Sequence, residues 1–215
     1  MNADDLRRPD LLVLVCGTGT EVGKTWAAAQ TIRLLRAMGI KAVARKMAQS
    51  FTPGEAPTDA EALGEAGGEA PETVCPPHRW YETPMAPPMA AELLGRPTFT
   101  VIELVGELIW PEQVAIGLVE TAGGVCSPQA DDGDVTDVAR ALQPDLVVLV
   151  GDAGLGTINA VRLSLSALGS WRCVVLLNRY DPNIELHERN RRWLVSRHGV
   201  DVVCSATELV ERLQL

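Results

Sequence analysis

The sequence predicts an α/β fold: a doubly wound, mainly parallel sheet with helices on both faces. Three observations predict it. Short apolar runs of strand length alternate with amphipathic helical patterns along the chain. The first such run leads into a glycine-rich stretch, Gly-Thr-Gly-Thr-Glu-Val-Gly-Lys-Thr at residues 17–25, which opens a helical pattern. The chain has 215 residues, 47% hydrophobic and 22% charged, enough for one domain with a proper core. No internal repeat or linker suggests a second domain, so residues 1–215 are expected to form one α/β unit.

Residues 11–16 are continuously apolar, as a strand covered on both faces requires. Residues 17–25 follow, and here the spacing is informative. Gly23-Lys24-Thr25 fits the end of G-x-x-x-x-G-K-[ST], but the first glycine position holds Thr18, with Gly17 one residue earlier. Glycines allow the tight turn that points successive backbone N–H groups at phosphate oxygens. The helix predicted over 24–38 adds unpaired N–H groups and a positive dipole end. Lys24 is then expected on the β/γ-phosphates, with the Thr25 hydroxyl on Mg²⁺. The expected fold is P-loop NTPase-like, and the competing reading is a chance glycine-rich turn before a helix.

A strand over 41–46 ends on Lys46, with Ser50 four residues beyond. Parallel sheets bind ligands at the carboxyl ends of their strands, which marks strand-end residues as candidates. Residues 47–88 are the least regular part and carry many prolines; 64–71, small and acidic, are expected to form a mobile surface loop. A helix is predicted over 58–65. There Asp59 is either an N-terminal helix acid, with Thr58 and Glu61 forming a capping box, or a metal ligand. Helices are predicted over 88–94 and 99–108, and Trp80 beside Tyr81 is a candidate wall of a substrate loop.

The strand predicted over 114–120 ends on Glu120, a carboxylate that burial would penalise without a metal or cationic partner. A helix over 135–142 and a strand over 145–150 lead to Gly151-Asp152-Ala153-Gly154-Leu155-Gly156-Thr157. That loop permits close backbone approach, or is simply a turn with Thr157 capping the helix over 157–167. The strand over 172–178 ends on Asn178, whose amide would read a purine amino edge or satisfy backbone groups. A helix over 184–198, a weaker strand over 200–204 and a helix over 207–214 complete the pattern. Trp26 and Trp193 are expected to pack their helices on the sheet.

The net charge of −9 argues against broad nucleic-acid binding. The five cysteines are scattered, with no C-x-x-C pair, and suggest neither a zinc site nor a disulfide framework. Cys16, Cys173 and Cys204 lie in or beside apolar runs and are expected in buried strands. Residues 1–10 lack a signal-peptide pattern, and no stretch has the length of a membrane span. A cytoplasmic, soluble protein is expected. His78, His187 and His198 lie apart and receive no catalytic role.

The constellation resembles the dethiobiotin synthetase family. The resemblance rests on residues 17–25, Lys46 with Ser50, Asp59, Tyr-Glu-Thr-Pro-Met-Ala-Pro-Pro-Met-Ala-Ala-Glu at 81–92, Val119-Glu120 with Ala122-Gly123-Gly124, Gly-Leu-Gly-Thr-Ile-Asn at 154–159, and Asn178. These pieces are collinear over about residues 11–180, and the displaced first glycine is part of the match. The resemblance implies an ATP-dependent cyclo-ligase of biotin biosynthesis. CO₂ adds to one amine of 7,8-diaminononanoate, ATP phosphorylates the carbamate, and the second amine closes the ureido ring. It implies Mg²⁺, with ATP as a substrate. It further implies a homodimer with active sites at the interface, without nucleic acid or membrane.

Residue by residue, the same resemblance makes Lys46, Lys24 and Thr20 catalytic. Gly19, Glu21, Val22, Gly23, Lys24, Thr25 and Asn178 become nucleotide contacts, Asn178 at the base. Thr20, Glu21, Lys46 and Ser50 become contacts to the diamine or carbamate, with Gly154, Leu155 and Asn159 receiving the substrate carboxylate from the partner subunit. Thr25, Asp59 and Glu120 become the Mg²⁺ ligands. The chain departs from the family pattern at Phe51, where glycine is usual, and at Thr121 and Ala160. It also lacks a recognisable Gly-x-[IL]-P segment after Asn178. The alternative is a P-loop paralogue, a related synthetase or a regulatory ATPase, without this activity.

Overall fold

A computed structural model describes residues 8–54 and 57–213. Six strands form one all-parallel sheet in the order β2-β5-β1-β6-β7-β8. They are β1 (Leu11–Gly17), β2 (Ala42–Lys46), β5 (Ile116–Gly124), β6 (Leu146–Asp152), β7 (Cys173–Asn178) and β8 (Val202–Val203). A separate parallel pair joins β3 (Gln49–Ser50) to β4 (Trp80–Tyr81).

Alternation along β1 divides the interior in two. Leu11, Val13 and Val15 face one layer, where they meet α1 (Lys24–Ala37), α2 (Asp59–Gly67), α3 (Pro71–Val74) and α9 (Ala206–Leu213). Leu12, Leu14 and Cys16 face the other. That layer holds α4 (Pro87–Leu93), α5 (Val101–Gly106), α6 (Val135–Leu142), α7 (Thr157–Leu168) and α8 (Glu185–His198). The doubly wound prediction therefore holds. Because β5 lies on one side of β1 and β6 on the other, the winding reverses at β1, and the loop after it opens into the crevice such reversals create.

Several expectations need correction. Residues 64–71 are not a surface loop. Gly64 and Gly67 are buried in α2, which ends at the left-handed Gly68, and Pro71 begins α3. A Cβ on Gly64 would lie 2.7 Å from the Glu69 carbonyl, so the small residues serve close packing. Trp26 and Trp193 do not pack on the sheet; they are 53% and 48% exposed. The inward faces of their helices are formed by Ala27, Ala28, Ile32 and Leu35 in α1 and by Asn190 and Leu194 in α8.

Trp80 and Tyr81 do not line a substrate loop. Tyr81 is buried and stacks on Phe99 at 6.2 Å, and the Trp80 indole donates to the Cys75 carbonyl at 2.8 Å. The pair forms β4, which alternation over so short a stretch did not reveal. Cys16 is buried, whereas Cys173 and Cys204 are only partly so. The final helix ends at Leu213, so its expected last residue, Gln214, lies outside the described residues, as do residues 1–7 of the polar N-terminus.

Candidate functional site

The P-loop and the ends of β2 and β5 converge on one cavity of about 830 Å³. Its lining includes Thr20, Glu21, Gly23, Lys24 and Thr25 from the loop, Lys46 at the end of β2, Ser50 and Phe51 beyond it, Asp59 at the start of α2, and Glu120 in β5. Most of the residues marked in the sequence are thus brought together by the carboxyl edge of the sheet.

The loop turns through left-handed conformations at Glu21 (φ 58) and Gly23 (φ 91). At Gly23 the conformation favours glycine, and there is no room for a side chain: a Cβ would lie 2.0 Å from Asn178 Nδ2. Lys24 is nearly buried and donates to the Gly19 carbonyl at 3.0 Å, spanning the loop it belongs to. Burial, followed by the charge of Lys46, lowers its pKa. Val22 packs against the α1 side of the core, so its contribution to the site is its backbone.

Lys46 forms the floor. It is 2% exposed, and its Nζ lies 2.7 Å from Asp59 Oδ2 and 2.7 Å from Glu120 Oε1. Burial alone would lower its pKa, but the two carboxylates outweigh it and hold the ammonium charged. Burial likewise raises the Asp59 carboxyl, yet Lys46 wins and holds it below the usual range. Glu120 is buried more deeply, and there desolvation wins, so its pKa is raised.

Thr25 Oγ1 is 2.8 Å from Asp59 Oδ1 and 2.9 Å from Glu120 Oε1. Its single hydrogen serves one of them. Of the two readings of Asp59, the helix-capping one is observed. Thr58 and Glu61 do form the capping box, and this fixes the first turn of α2 so that Asp59 reaches Thr25 and Lys46.

This donor set suits Mg²⁺. A hydroxyl and two carboxylates are hard oxygen ligands, and Glu120 Oε2 is buried with no hydrogen-bond partner, an orphan that a cation would satisfy. Among the described residues no cluster of three or more His, Cys, Asp or Glu could hold a metal. A cation here would therefore depend on phosphate and water oxygens as well, as Mg²⁺ at nucleotide sites does.

Gly154 and Leu155 lie in the connection from β6 to α7 and Asn159 in the first turn of α7; none of them lines this cavity, and Leu155 is 93% exposed. Thr157 is not the cap of α7. Gly156 is, in a left-handed conformation, and the Thr157 hydroxyl is buried without a partner. Asn178 Nδ2 donates one hydrogen to the Val22 carbonyl at 2.9 Å, the backbone-satisfying role.

Sequence reasoning missed Arg179, which lines the cavity and binds the P-loop, and Gln49, whose Oε1 accepts from Ala60 N at 2.9 Å. The strand-end rule, applied one residue further at β7, would have found Arg179. It also gave no site role to Pro84 and Met85, although both lie in the 81–92 run that carries the resemblance, and it missed Ser127 and Pro128, for which the sequence carries no distinctive signal.

Comparisons with known proteins agree with this geometry. The model of a family described as AAA domain matches residues 12–209. A protein of Anaeromyxobacter dehalogenans named ATP-dependent dethiobiotin synthetase BioD is 39% identical over 176 residues, covering 79% of this chain and 77% of that one. A protein of the same name from Anaeromyxobacter sp. strain K is 35% identical over 212 residues, covering 93% of this chain and 92% of that one. One from Corynebacterium efficiens is 36% identical over 162 residues, covering 73% and 69%.

Solved structures resemble the fold alone. The signal recognition particle receptor FtsY from Elizabethkingia anophelis superposes with a TM-score of 0.55 at 15% identity, over 96% of this chain and 66% of the receptor. A nucleotide-binding protein from Archaeoglobus fulgidus, solved with ADP, superposes with a TM-score of 0.52 at 11% identity, over 98% and 87%. With the P-loop, the buried lysine and the paired carboxylates on one sheet edge, and with these relatives along most of its length, the chain belongs to the ATP-dependent dethiobiotin synthetase family.

Proposed function

We propose that the protein closes a ureido ring on 7,8-diaminononanoate, with CO₂ and ATP as co-substrates and dethiobiotin, ADP and phosphate as products. The observation that carries the reading is Lys46, a buried ammonium at the floor of a cavity whose walls are a phosphate-binding loop on one side and Ser50 on the other. A carbamate is an anion formed from two neutral reactants, and it needs such a fixed positive charge beside the phosphoryl donor.

The chemistry asks for positioning and charge neutralisation rather than a nucleophilic side chain. One amine adds to CO₂ and loses a proton, giving a carbamate that Lys46 and Ser50 hold. The carbamate oxygen takes the terminal phosphoryl group of ATP, and ADP leaves. The second amine then attacks the carbonyl carbon and expels phosphate. Lys24 turns from the Gly19 carbonyl to the phosphates, where its charge offsets what accumulates in transfer. Thr20 and Glu21, on the rim, hold the diamine. Gly19, Val22 and Gly23 contribute backbone, and Asn178 contributes through its hold on the loop. Thr25, Asp59 and Glu120 would hold Mg²⁺, whose role is to neutralise phosphate charge.

The same reading assigns the substrate carboxylate to Gly154, Leu155 and Asn159 of a second copy. Its support is the unpartnered Thr157 hydroxyl at the N-terminus of α7, where helix N–H groups favour an anion, and the absence of these residues from the cavity of their own chain. The protein is then a homodimer, working in the cytoplasm. No described helix is long and apolar enough to cross a membrane.

Phe51 on the cavity wall favours a second reading, a paralogue with a different amine substrate. Incubation with ATP, Mg²⁺, ¹³C-bicarbonate and the diamine separates the two. The proposed function requires a cyclic urea carrying the label, seen by mass. Tight ATP binding without that product rejects it in favour of the paralogue.

A further inference from the structure

We propose that Asn178 and Arg179 are positioning residues that set the direction of the P-loop amides, and so the strength with which the loop holds phosphate. Asn178 Nδ2 donates to the Val22 carbonyl at 2.9 Å, and Arg179 Nη2 donates to the Glu21 carbonyl at 2.9 Å. Two consecutive carbonyls of the loop are thus held by two consecutive side chains at the end of β7. In a trans peptide the C=O and N–H point in opposite directions. Pinning the Glu21 and Val22 carbonyls toward β7 therefore fixes where the N–H groups of Val22 and Gly23 point. These belong to the run of amides that cradles an anion.

The backbone on both sides is committed to this contact. Glu21 and Arg179 are both left-handed, at φ 58 and φ 56, a conformation unfavourable for residues bearing a Cβ unless their surroundings impose it. The two are hydrogen-bonded to each other. Asn178 is packed on Gly23 so closely that no other residue fits there. The clamp is also anchored behind: Arg179 Nη1 donates to Asp152 Oδ2 at 2.8 Å, and Asp152 Oδ1 accepts from Gly154 N at 2.8 Å. The end of β6 thereby holds the guanidinium in place. The role needs no base, because it is carried by donors spent on loop carbonyls.

The inference rests on the loop's binding of phosphate, not on the ring closure. It is tested with a probe that has no base. Binding of inorganic tripolyphosphate, ATP and GTP, each with Mg²⁺, is measured by calorimetry for the full chain and for Arg179→Met, Arg179→Lys and Asn178→Asp. Arg179 is exposed, so Arg179→Met leaves the core untouched. It is expected to weaken tripolyphosphate and ATP by the same factor, roughly threefold to tenfold, the scale of one charge-assisted hydrogen bond at a partly solvated site. Arg179→Lys recovers part of this. Asn178→Asp weakens both by about tenfold or more, since a carboxylate oxygen then faces the Val22 carbonyl.

The preference for ATP over GTP stays at the wild-type value in both Arg179 variants, and weakened tripolyphosphate binding supports the clamp whatever Asn178→Asp does to that preference. Unchanged tripolyphosphate binding, alone or with a shifted ATP-to-GTP preference, overturns the clamp, the second pattern marking base readers. Failure of the wild-type chain to bind tripolyphosphate takes down the phosphate cradle and the clamp together.

Discussion

Replacing Lys46 by methionine removes one ammonium and little volume, and it tests whether the charge balance of the site is what the distances indicate. Lys46 is 2% exposed and sits 2.7 Å from a carboxylate oxygen of Asp59 and of Glu120. Its loss leaves two facing carboxylates bridged by the neutral Thr25 hydroxyl in place of an ammonium. Removing one partner of a buried ion pair costs about 3–5 kcal/mol. For a domain of 150–250 residues each kcal/mol lowers Tm by roughly 2–4 °C, which places the variant roughly 6–20 °C below wild type.

The deficit depends on pH, and its sign follows from Glu120. The raised folded-state pKa means that its protonated form favours the folded protein, so this contribution is full at low pH and fades as pH rises through the raised value. Without Lys46 that pKa rises further, and the gap to wild type narrows as pH falls toward 5. Asp59 acts in the opposite sense: its lowered pKa stabilises at neutral pH and is lost in acid. The assay is thermal unfolding followed by circular dichroism at pH 5 and 7.5, in chelator and in millimolar Mg²⁺. Mg²⁺ should raise the Tm of Lys46→Met more than that of wild type, because a cation can replace the lost charge. A variant that melts within 2 °C of wild type in chelator at pH 7.5 would show that Lys46 does not neutralise the carboxylates, and the reasoning would fall.

Three other outcomes can be checked directly. Lys24→Ala should lower ATP affinity by about a hundredfold or more, the loss of charge-assisted contacts to phosphate, read by calorimetry. Glu120→Gln should cut the gain in ADP affinity on adding Mg²⁺ by about tenfold while metal-free ADP binding holds, if Glu120 is the metal ligand proposed above. Gly23→Ala combines φ 91 with a contact at 2.0 Å, and should cost about 1–3 kcal/mol in urea unfolding and abolish measurable nucleotide binding.

Much of this was legible in the sequence for identifiable reasons. Strands buried on both faces must be apolar throughout, so the five long ones stood out, each correct to within two residues at its start and four at its end. Lys46, Glu120 and Asn178 were found because polar residues closing apolar runs are conspicuous. The contacts that join segments distant along the chain were not legible. Nothing local in Thr58-Asp59-Ala60-Glu61 says that the carboxylate of Asp59 will meet Thr25 and Lys46; the chain must first be folded. Arg179 looks like any solvated arginine until its two hydrogen bonds are seen. The tryptophans mislead because a large apolar side chain suggests burial, whereas alanines supply the close-packed face of α1.

The small β3–β4 ribbon has a consequence for which amines the site accepts. Gln49 and Ser50 pair with Trp80 and Tyr81, and Phe51 N donates to the Tyr81 carbonyl at 3.0 Å, so the two lips of the mouth are tied main chain to main chain; the guanidinium of Arg96 braces the Trp80 carbonyl at 2.7 Å. Phe51 comes from one lip and Met85 from the other. Trimming or enlarging those two side chains changes the bore of the entrance without loosening its frame. Tolerance for longer or bulkier diamines can therefore diverge among relatives while the phosphate chemistry below is left alone.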